Sequence, residues 1–303
     1  MSSRRKETSR RQFLARSVQA AAGIFATGAL VSCSTVQTVR RDKPCSRMSF
    51  GLVTYKWGQD WDLPTLIRNC EVTGLLGVEL RTTHAHGVEP NLNVRQRKDV
   101  KKRFTDSPVK LVGLGSDERF DSPDPATLAK AIEATKAFVK LSYDVGSSGV
   151  KVKPNSFHEN VPHEKTIEQI GKSLNELGRF AANYGQQIRL EVHGQCAELP
   201  TIKAIMDIAD HPSVAVCWNS NQKDLLGRGL EYNFNLVKDR FGATVHVHSL
   251  DSTEYPYQQL IKLLVKMDYA GWVLLEEGSY IPRDRIRALT EQAALFEQMV
   301  AGA

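Results

Sequence analysis

Four strand-like runs in the second half of the chain recur at a nearly constant interval. Each ends in a side chain able to bind a metal or handle a proton. They are IRLEVHG, VAVCWNS, ATVHVHS and GWVLLEEG, which carry Glu191, Asn219, His246 and Glu276 at a spacing of roughly 27–30 residues. That interval accommodates one strand, one helix and two short connections. Repeated strand–helix units make their strands parallel, because each helix returns the chain to the edge where the last strand began. The strand ends then gather on one side of the sheet, and side chains distant in sequence meet there.

The rest of the chain continues the alternation. Strands are predicted at Met48–Tyr55, Leu76–Arg81, Val109–Gly115 and Ser148–Asn155, then at Gln187–His193, Ser213–Trp218, Ala243–His248 and Trp272–Glu276. The first helix runs from Asp62, a fitting N-cap, to Val72, with Pro64 in its first turn. Further helices are predicted over Val94–Phe104, from near Asp124, and over His163–Tyr184, Leu199–Ala209, about Leu230–Phe241, Tyr257–Met267 and Arg283–Val300. Ile167, Ile170, Leu174 and Leu177 illustrate the helical spacing. Eight units in strict alternation predict one (β/α)8 TIM barrel over residues 48–303. A doubly wound open sheet is the alternative fold. No G-x-G-x-x-G follows the first strand, which counts against a dinucleotide fold.

Ahead of the barrel the composition changes. Residues 1–47 hold ten Lys/Arg against two acids, whereas the remainder has 30 bases against 32 acids, so the net charge of +6 belongs to the leader. A near-neutral body offers nucleic acid no electrostatic footprint. The leader reads SRRQFL at Ser9–Leu14, then a small-residue apolar stretch from Ala20 to Val31 that is too short for a stable membrane span. This pattern resembles a twin-arginine export signal, and Leu30-Val31-Ser32-Cys33 resembles a lipobox with Cys33 as the lipidated residue. Residues 1–33 are therefore expected to be a signal segment and residues 34–47 a tether. The expected location is the periplasm or envelope, with membrane contact only through the leader or a lipid. Simple cleavage near Cys33 is the alternative. Cys70 and Cys217 are expected to be buried thiols and Cys196 to lie near the cavity, and no spacing matches a zinc motif.

Alternation along a strand puts Glu191 on one face with His193, and His246 on one face with His248. Two carboxylates, an amide oxygen and an imidazole suit Mn²⁺, Mg²⁺, Co²⁺ or Zn²⁺, with positions left for a substrate. Register alone separates His246 from His248 as the imidazole ligand. The runs FGLVTY, GVELR, RLEVHG, VAVCWNSN, VHVHSLD and YAGWVLLEE, spread from Met48 to the C-terminus, resemble the xylose isomerase-like TIM barrels of the sugar phosphate isomerase/epimerase group. The resemblance implies a metal held by Glu191, Asn219, His246 and Glu276. It also implies that Glu191 and Glu276 are the catalytic pair, moving a proton between sugar carbons. Asn219 departs from the carboxylate usual in that family, and the departure removes one negative charge.

The chemistry agrees with that implication. A divalent ion polarises a carbonyl and stabilises an enediolate, while one glutamate removes the α-proton and the other returns one. Return to the neighbouring carbon isomerises, return to the opposite face epimerises, and loss of a β-hydroxyl dehydrates. The expected ligand is a small-molecule sugar, contacted by His193, His248, Lys153, Glu79 and Trp57. Several of these have structural readings: Glu79 and Arg81 as an ion pair inside the barrel, Lys151 and Lys153 as solvated strand-end lysines, His84 and His86 as loop histidines. Glu277 is expected to face the helices and Trp218 to pack in the core. The leading function is a metal-dependent sugar isomerase or epimerase. The alternatives are a lyase or dehydratase on a keto-sugar or polyol, and a non-catalytic carbohydrate-binding barrel, which Asn219 favours. A related zinc endonuclease would need more ligands and a basic groove. The sequence leaves room for a homo-oligomer.

Overall fold

The computed structural model describes residues 46–303; the expected signal segment, its Cys33 and all but the last two residues of the expected tether lie outside the described residues. Eight strands alternate with eight α-helices in the order β1 (Ser49–Val53), α1 (Leu63–Thr73), β2 (Gly77–Arg81), α2 (Val94–Thr105), β3 (Lys110–Arg119), α3 (Pro125–Val145), β4 (Gly149–Lys153), α4 (His163–Ala182), β5 (Gln187–Glu191), α5 (Leu199–Ile208), β6 (Val214–Cys217), α6 (Leu230–Val237), β7 (Thr244–Val247), α7 (Tyr257–Lys266), β8 (Trp272–Leu275) and α8 (Arg285–Ala301). Local chemistry sets the helix ends. The Asp62 side chain accepts from Thr65 N at 2.9 Å to start α1, Pro64 sits in its first turn, and Gly74 ends it at φ 78°, a left-handed turn that glycine adopts without strain. Asn93 and Gln96 form a reciprocal capping box on α2.

All the paired strands are parallel, in the order β6-β5-β4-β3-β2-β1-β8-β7. The ring closes between β6 and β7 through a few bonds only: Gly242 N to Val216 O at 2.9 Å, His246 N to Trp218 O at 2.6 Å and Ser220 N to His246 O at 3.2 Å. That seam sets Asn219 directly beside His246. The predicted (β/α)8 barrel is the observed fold.

Two apolar layers hold it. The outward faces of the strands, such as Val78, Val150, Ile188 and Val245, bury against helix residues including Ile170, Leu174 and Leu177. Each such side chain contributes about 1.5–3 kcal/mol of burial. Inside the ring, Val53, Val112 and Leu274 form a separate small cluster with Tyr55 and Trp272. Two elements differ most from the sequence expectation. β3 runs on to Arg119 instead of ending at Gly115, and its register with β2 shifts, so that Val78 pairs with Leu111 but Glu79 with Gly113. The shift bulges out Val112 and frees its carbonyl, which accepts from Arg189 Nη1 at 2.8 Å and Ser148 Oγ at 2.7 Å. α6 stops at Val237 and tightens into a 3-10 turn through Arg240, short of Phe241. Among the described residues, no helix is long and apolar enough to cross a membrane.

Candidate active site

The upper interior of the barrel is ionic. Glu191 ends β5, His246 lies in β7 and Glu276 follows β8; one donor atom from each lies within 4.8 Å of the others. His246 Nδ1 is 3.1 Å from Glu276 Oε2 and 3.4 Å from Glu191 Oε1, and its Nε2 is 3.4 Å from Glu79 Oε1 on β2. All four side chains are buried. Glycines on β3 make the slot for Glu79: a Cβ at Gly113 would lie 2.7 Å from its Oε2, and one at Gly115 3.0 Å from its Oε1.

Two further side chains complete the cluster. Asn219 Nδ2 donates to Glu191 Oε1 at 3.0 Å, while its own buried Oδ1 has no hydrogen-bond partner. Lys151, from β4, is 1% exposed and its Nζ donates to Glu191 Oε2 at 2.8 Å. Such an ammonium survives burial only beside anions. Burial works against the Lys151 charge, but Glu191, Glu276 and Glu79 outweigh it and lift the group above its ordinary pKa. Burial likewise opposes ionisation of Glu191, and Lys151 followed by His246 holds it well below the usual carboxylate range. Glu276 is lowered against the same desolvation, chiefly by His246. Burial disfavours the imidazolium of His246, and neighbouring Cys217, Glu79 and Glu276 reverse that, so it rises well above its ordinary value. Both carboxylates are therefore held as anions in a dry site.

The sequence-expected residues fall into three groups. Glu191, Asn219, His246 and Glu276 converge. His246 is the imidazole in the cluster; His248 sits one layer higher, with Nδ1 2.6 Å from the Glu276 carbonyl oxygen. His193 and Lys153 occupy the rim. Burial is the main cause that keeps the His193 imidazole below its ordinary pKa, with Lys153 and Lys151 adding to it, and its buried Nδ1 is unpartnered. Glu79 is fully buried beneath the site, away from any sugar at the mouth. It forms no ion pair with Arg81, whose nearest acid is Asp117 at 3.8 Å. Trp57 is 1% exposed and donates its indole N–H to the Tyr280 carbonyl at 2.9 Å. It therefore pins the loop after β1 to the loop after β8 and has no ring surface to offer a sugar, contrary to its expected substrate contact. Lys151 is a buried ion-pair partner instead of a solvated lysine. The pairing of β4 with β5, which sets Lys151 opposite Arg189, is the signal that places it on the interior face with Glu191. Arg189 itself was not anticipated: fully buried, it bonds Val112 O, Ser148 Oγ and Gln187 Oε1.

Two recesses open near the cluster. A cleft of about 750 Å³ lies over the ends of β6–β8, lined by His248, Ser249, Tyr257 and Glu277 among others. A smaller one of about 310 Å³ reaches His193 and Asn219 and shares Asn221 with the first. Glu277, expected to face the helices, lines the larger cleft and accepts from Ser249 and Ser279 there. Trp218 is fully buried, as expected. Cys196 is buried too, and desolvation pushes its thiol up to about 12, so it is no nucleophile.

A parallel eight-stranded barrel with a buried carboxylate–imidazole cluster at its strand ends belongs to the class that gathers polar chemistry on the C-terminal face. The model of the xylose isomerase-like TIM barrel family matches residues 67–298, and the chain belongs to that family. Similar solved structures include the apo form of a 3-keto-D-glucoside 4-epimerase from E. coli, at a TM-score of 0.71 and 15% identity over 83% of this chain and 99% of that one. The D-psicose 3-epimerase from Clostridium cellulolyticum H10, solved with D-tagatose, matches at 0.69 and 16% over 83% and 97%. The IOLI protein with a bound zinc atom matches at 0.69 and 16% over 84% and 98%. At these identities the likeness is one of fold. A search of curated proteins by sequence found no match.

Proposed function

We propose that the protein is a divalent-metal-dependent sugar isomerase or epimerase working between Glu191 and Glu276. The observation that carries this reading is the convergence of Glu191, His246 and Glu276 with donor atoms within 4.8 Å of one another. The donor set fits Mn²⁺, Mg²⁺, Co²⁺ or Zn²⁺: two carboxylates, an imidazole and, as a fourth donor, the unpartnered Asn219 Oδ1. A bound ion supplies Lewis-acid charge for a substrate carbonyl. The chain's own groups do the rest. One of the two anionic carboxylates takes the proton from the carbon beside the carbonyl, and the other returns a proton to that carbon or its neighbour. Lys151 keeps Glu191 ionised for that role. Neutral His193 at the rim is suited to a sugar hydroxyl, and the buried walls exclude bulk water. The sugar epimerases of similar fold and the zinc-bound neighbour support the reading.

Elemental analysis of the full chain after metal loading should give about one ion per chain, lost in Glu191→Gln and Glu276→Gln. Deuterium uptake from solvent into keto sugars, followed by NMR, should proceed in the wild type and fall about 10²–10⁴-fold in either variant. Unchanged metal content in both variants would remove the site. Loss of water from the sugar would reassign the reaction as a dehydration. A metal-loaded protein that binds sugar without exchange would favour the carbohydrate-binding reading, which the neutral Asn219 supports. The proposal includes export and an envelope location on the strength of Ser9–Leu14 and Cys33. Cys33→Ala should then leave the membrane fraction, and its retention there would discard the lipid anchor.

A further inference from the structure

Glu79 and Lys151 face the barrel interior, and two residues further along their strands come Arg81 and Lys153. Alternation returns each pair to the same face, so Arg81 and Lys153 stand one layer above the buried cluster. That layer is about 7 Å higher, comparable to the reach of a hexose from its second carbon to its sixth. Around them the charge is unbalanced. Lys153 Nζ donates to Asp117 Oδ1 at 2.7 Å, Arg119 Nη2 to Asp117 Oδ2 at 3.1 Å, and Arg81 Nη2 stands 3.8 Å from Asp117. Three cations thus share one carboxylate, Asp117; the adjacent Glu118, in the stretch where the β3–β4 register shifts, makes no ion pair among the described residues. The Arg81 guanidinium makes no hydrogen bond among the described residues. It is held in place by the Tyr55 ring, 5.1 Å from its centre, and its side chain is 22% exposed. Neighbouring His84 feels that charge: burial, then Arg81, then His86 push its imidazole down to about 4. A half-buried guanidinium with free donors is built to receive a two-oxygen anion, and a neutral sugar leaves most of that capacity unused.

We propose that Arg81, seconded by Lys153, anchors an anionic group on the substrate, so that the sugar handled between Glu191 and Glu276 carries a carboxylate or phosphate at the end remote from the reacting carbons. This deepens the isomerase reading and rests on it for the position of the reacting carbons.

The test is calorimetric titration of the full chain, metal-free and Mn²⁺-loaded, with D-glucose, D-glucuronate and D-glucose 6-phosphate. The metal-free arm removes any contribution from a carboxylate binding the ion. One of the two anionic sugars should bind about 10-fold or more tighter than glucose in both arms. Tighter glucuronate assigns a sugar acid, and tighter glucose 6-phosphate a sugar phosphate. Arg81→Gln should erase the preference and leave glucose binding and the melting temperature unchanged, and Lys153→Gln should reduce it. Equal binding of all three sugars, no detectable binding of either anion, or a preference that survives both substitutions overturns the anchor. Failure of the isomerase reading looks different: the anion preference persists, yet no sugar in the panel exchanges deuterium.

Discussion

Glu191 and Asp224 are both carboxylates buried in the same barrel, 1% and 0% exposed, and they behave in opposite ways. Glu191 has the Lys151 ammonium at 2.8 Å and is held well below the usual carboxylate range in spite of its burial. Asp224, in the 3-10 turn after β6, accepts from Asn221 N at 2.9 Å and Tyr255 OH at 2.7 Å, but its Oδ1 has no partner. Desolvation wins there, and its pKa rises from 3.8 to about 7. Two neutral hydrogen bonds on one oxygen are too few to keep Asp224 charged, whereas Glu277, which accepts four from Ser249 and Ser279 across both oxygens, is lowered without a cation. At Glu191, the carboxylate that the proposed chemistry needs as an anion, the Lys151 ammonium holds the charge. The turn carrying Asp224 caps and closes: its oxygen ties Asn221 to Tyr255 beside the larger cleft.

Removing the cation breaks the contrast most severely. Lys151→Gln leaves Glu191 buried without its partner and should destabilise the metal-free protein by about 3–5 kcal/mol. The double variant Lys151→Gln/Glu191→Gln should recover much of that loss, because it strands no charge. Chemical denaturation of the wild type, both single variants and the double variant reads the coupling directly. A single variant as stable as the wild type would mean that Glu191 does not depend on Lys151.

Asp224 gives the next largest effect, through pH. The folded state holds the proton up to about 7, whereas the unfolded chain releases it near 3.8. Between those values folding takes up a proton, so stability falls as pH rises through the window and the penalty is complete above it. The whole span amounts to a few kcal/mol at most. Melting curves of wild type and Asp224→Asn should therefore diverge between pH 4 and pH 7, the wild type losing ground as pH rises. Parallel curves would show that Asp224 ionises normally.

The same contrast shows where sequence reading succeeds and where it stops. The period of the repeat carried the barrel, and the strand ends carried Glu191, His246 and Glu276, because a parallel strand–helix repeat leaves few other topologies. Which of His246 and His248 joins the cluster depended on register, which the bond from His246 N to Trp218 O across the β6–β7 seam fixes. Lys151 looked like a solvated lysine because alternation gives the face of a strand but not the dryness of that face. The dryness comes from ring closure and from the apolar cluster of Val53, Val112 and Leu274 below. The sequence puts Glu79 inside the barrel but pairs it with Arg81, since its actual slot depends on Gly113 and Gly115 across a register shift. Trp57 had the composition of a sugar platform, and only the loop packing against Tyr280 turned it inward.

Asn219 sharpens the comparison at the smallest scale, because it adjoins the same Glu191 and is neutral. Its Nδ2 now donates to Glu191 Oε1 at 3.0 Å, a bond that Asn219→Asp would replace with a second anion facing the first. Without metal the new charge meets Glu191 and Glu276 with only Lys151 and His246 to offset it, so the melting temperature should fall. With metal the sign reverses: one more carboxylate oxygen replaces an amide oxygen, and divalent-ion affinity should rise about 10-fold. Competition against a chelator measures the affinity, and melting with and without Mn²⁺ measures the two signs. A variant that is destabilised in both conditions, with no gain in affinity, would show that Asn219 serves as a hydrogen-bond donor to Glu191 and lies outside the ligand set. Opposite shifts would place its side chain among the ligands, with Lys151 supplying from β4 the charge that balances the cluster when no ion is bound.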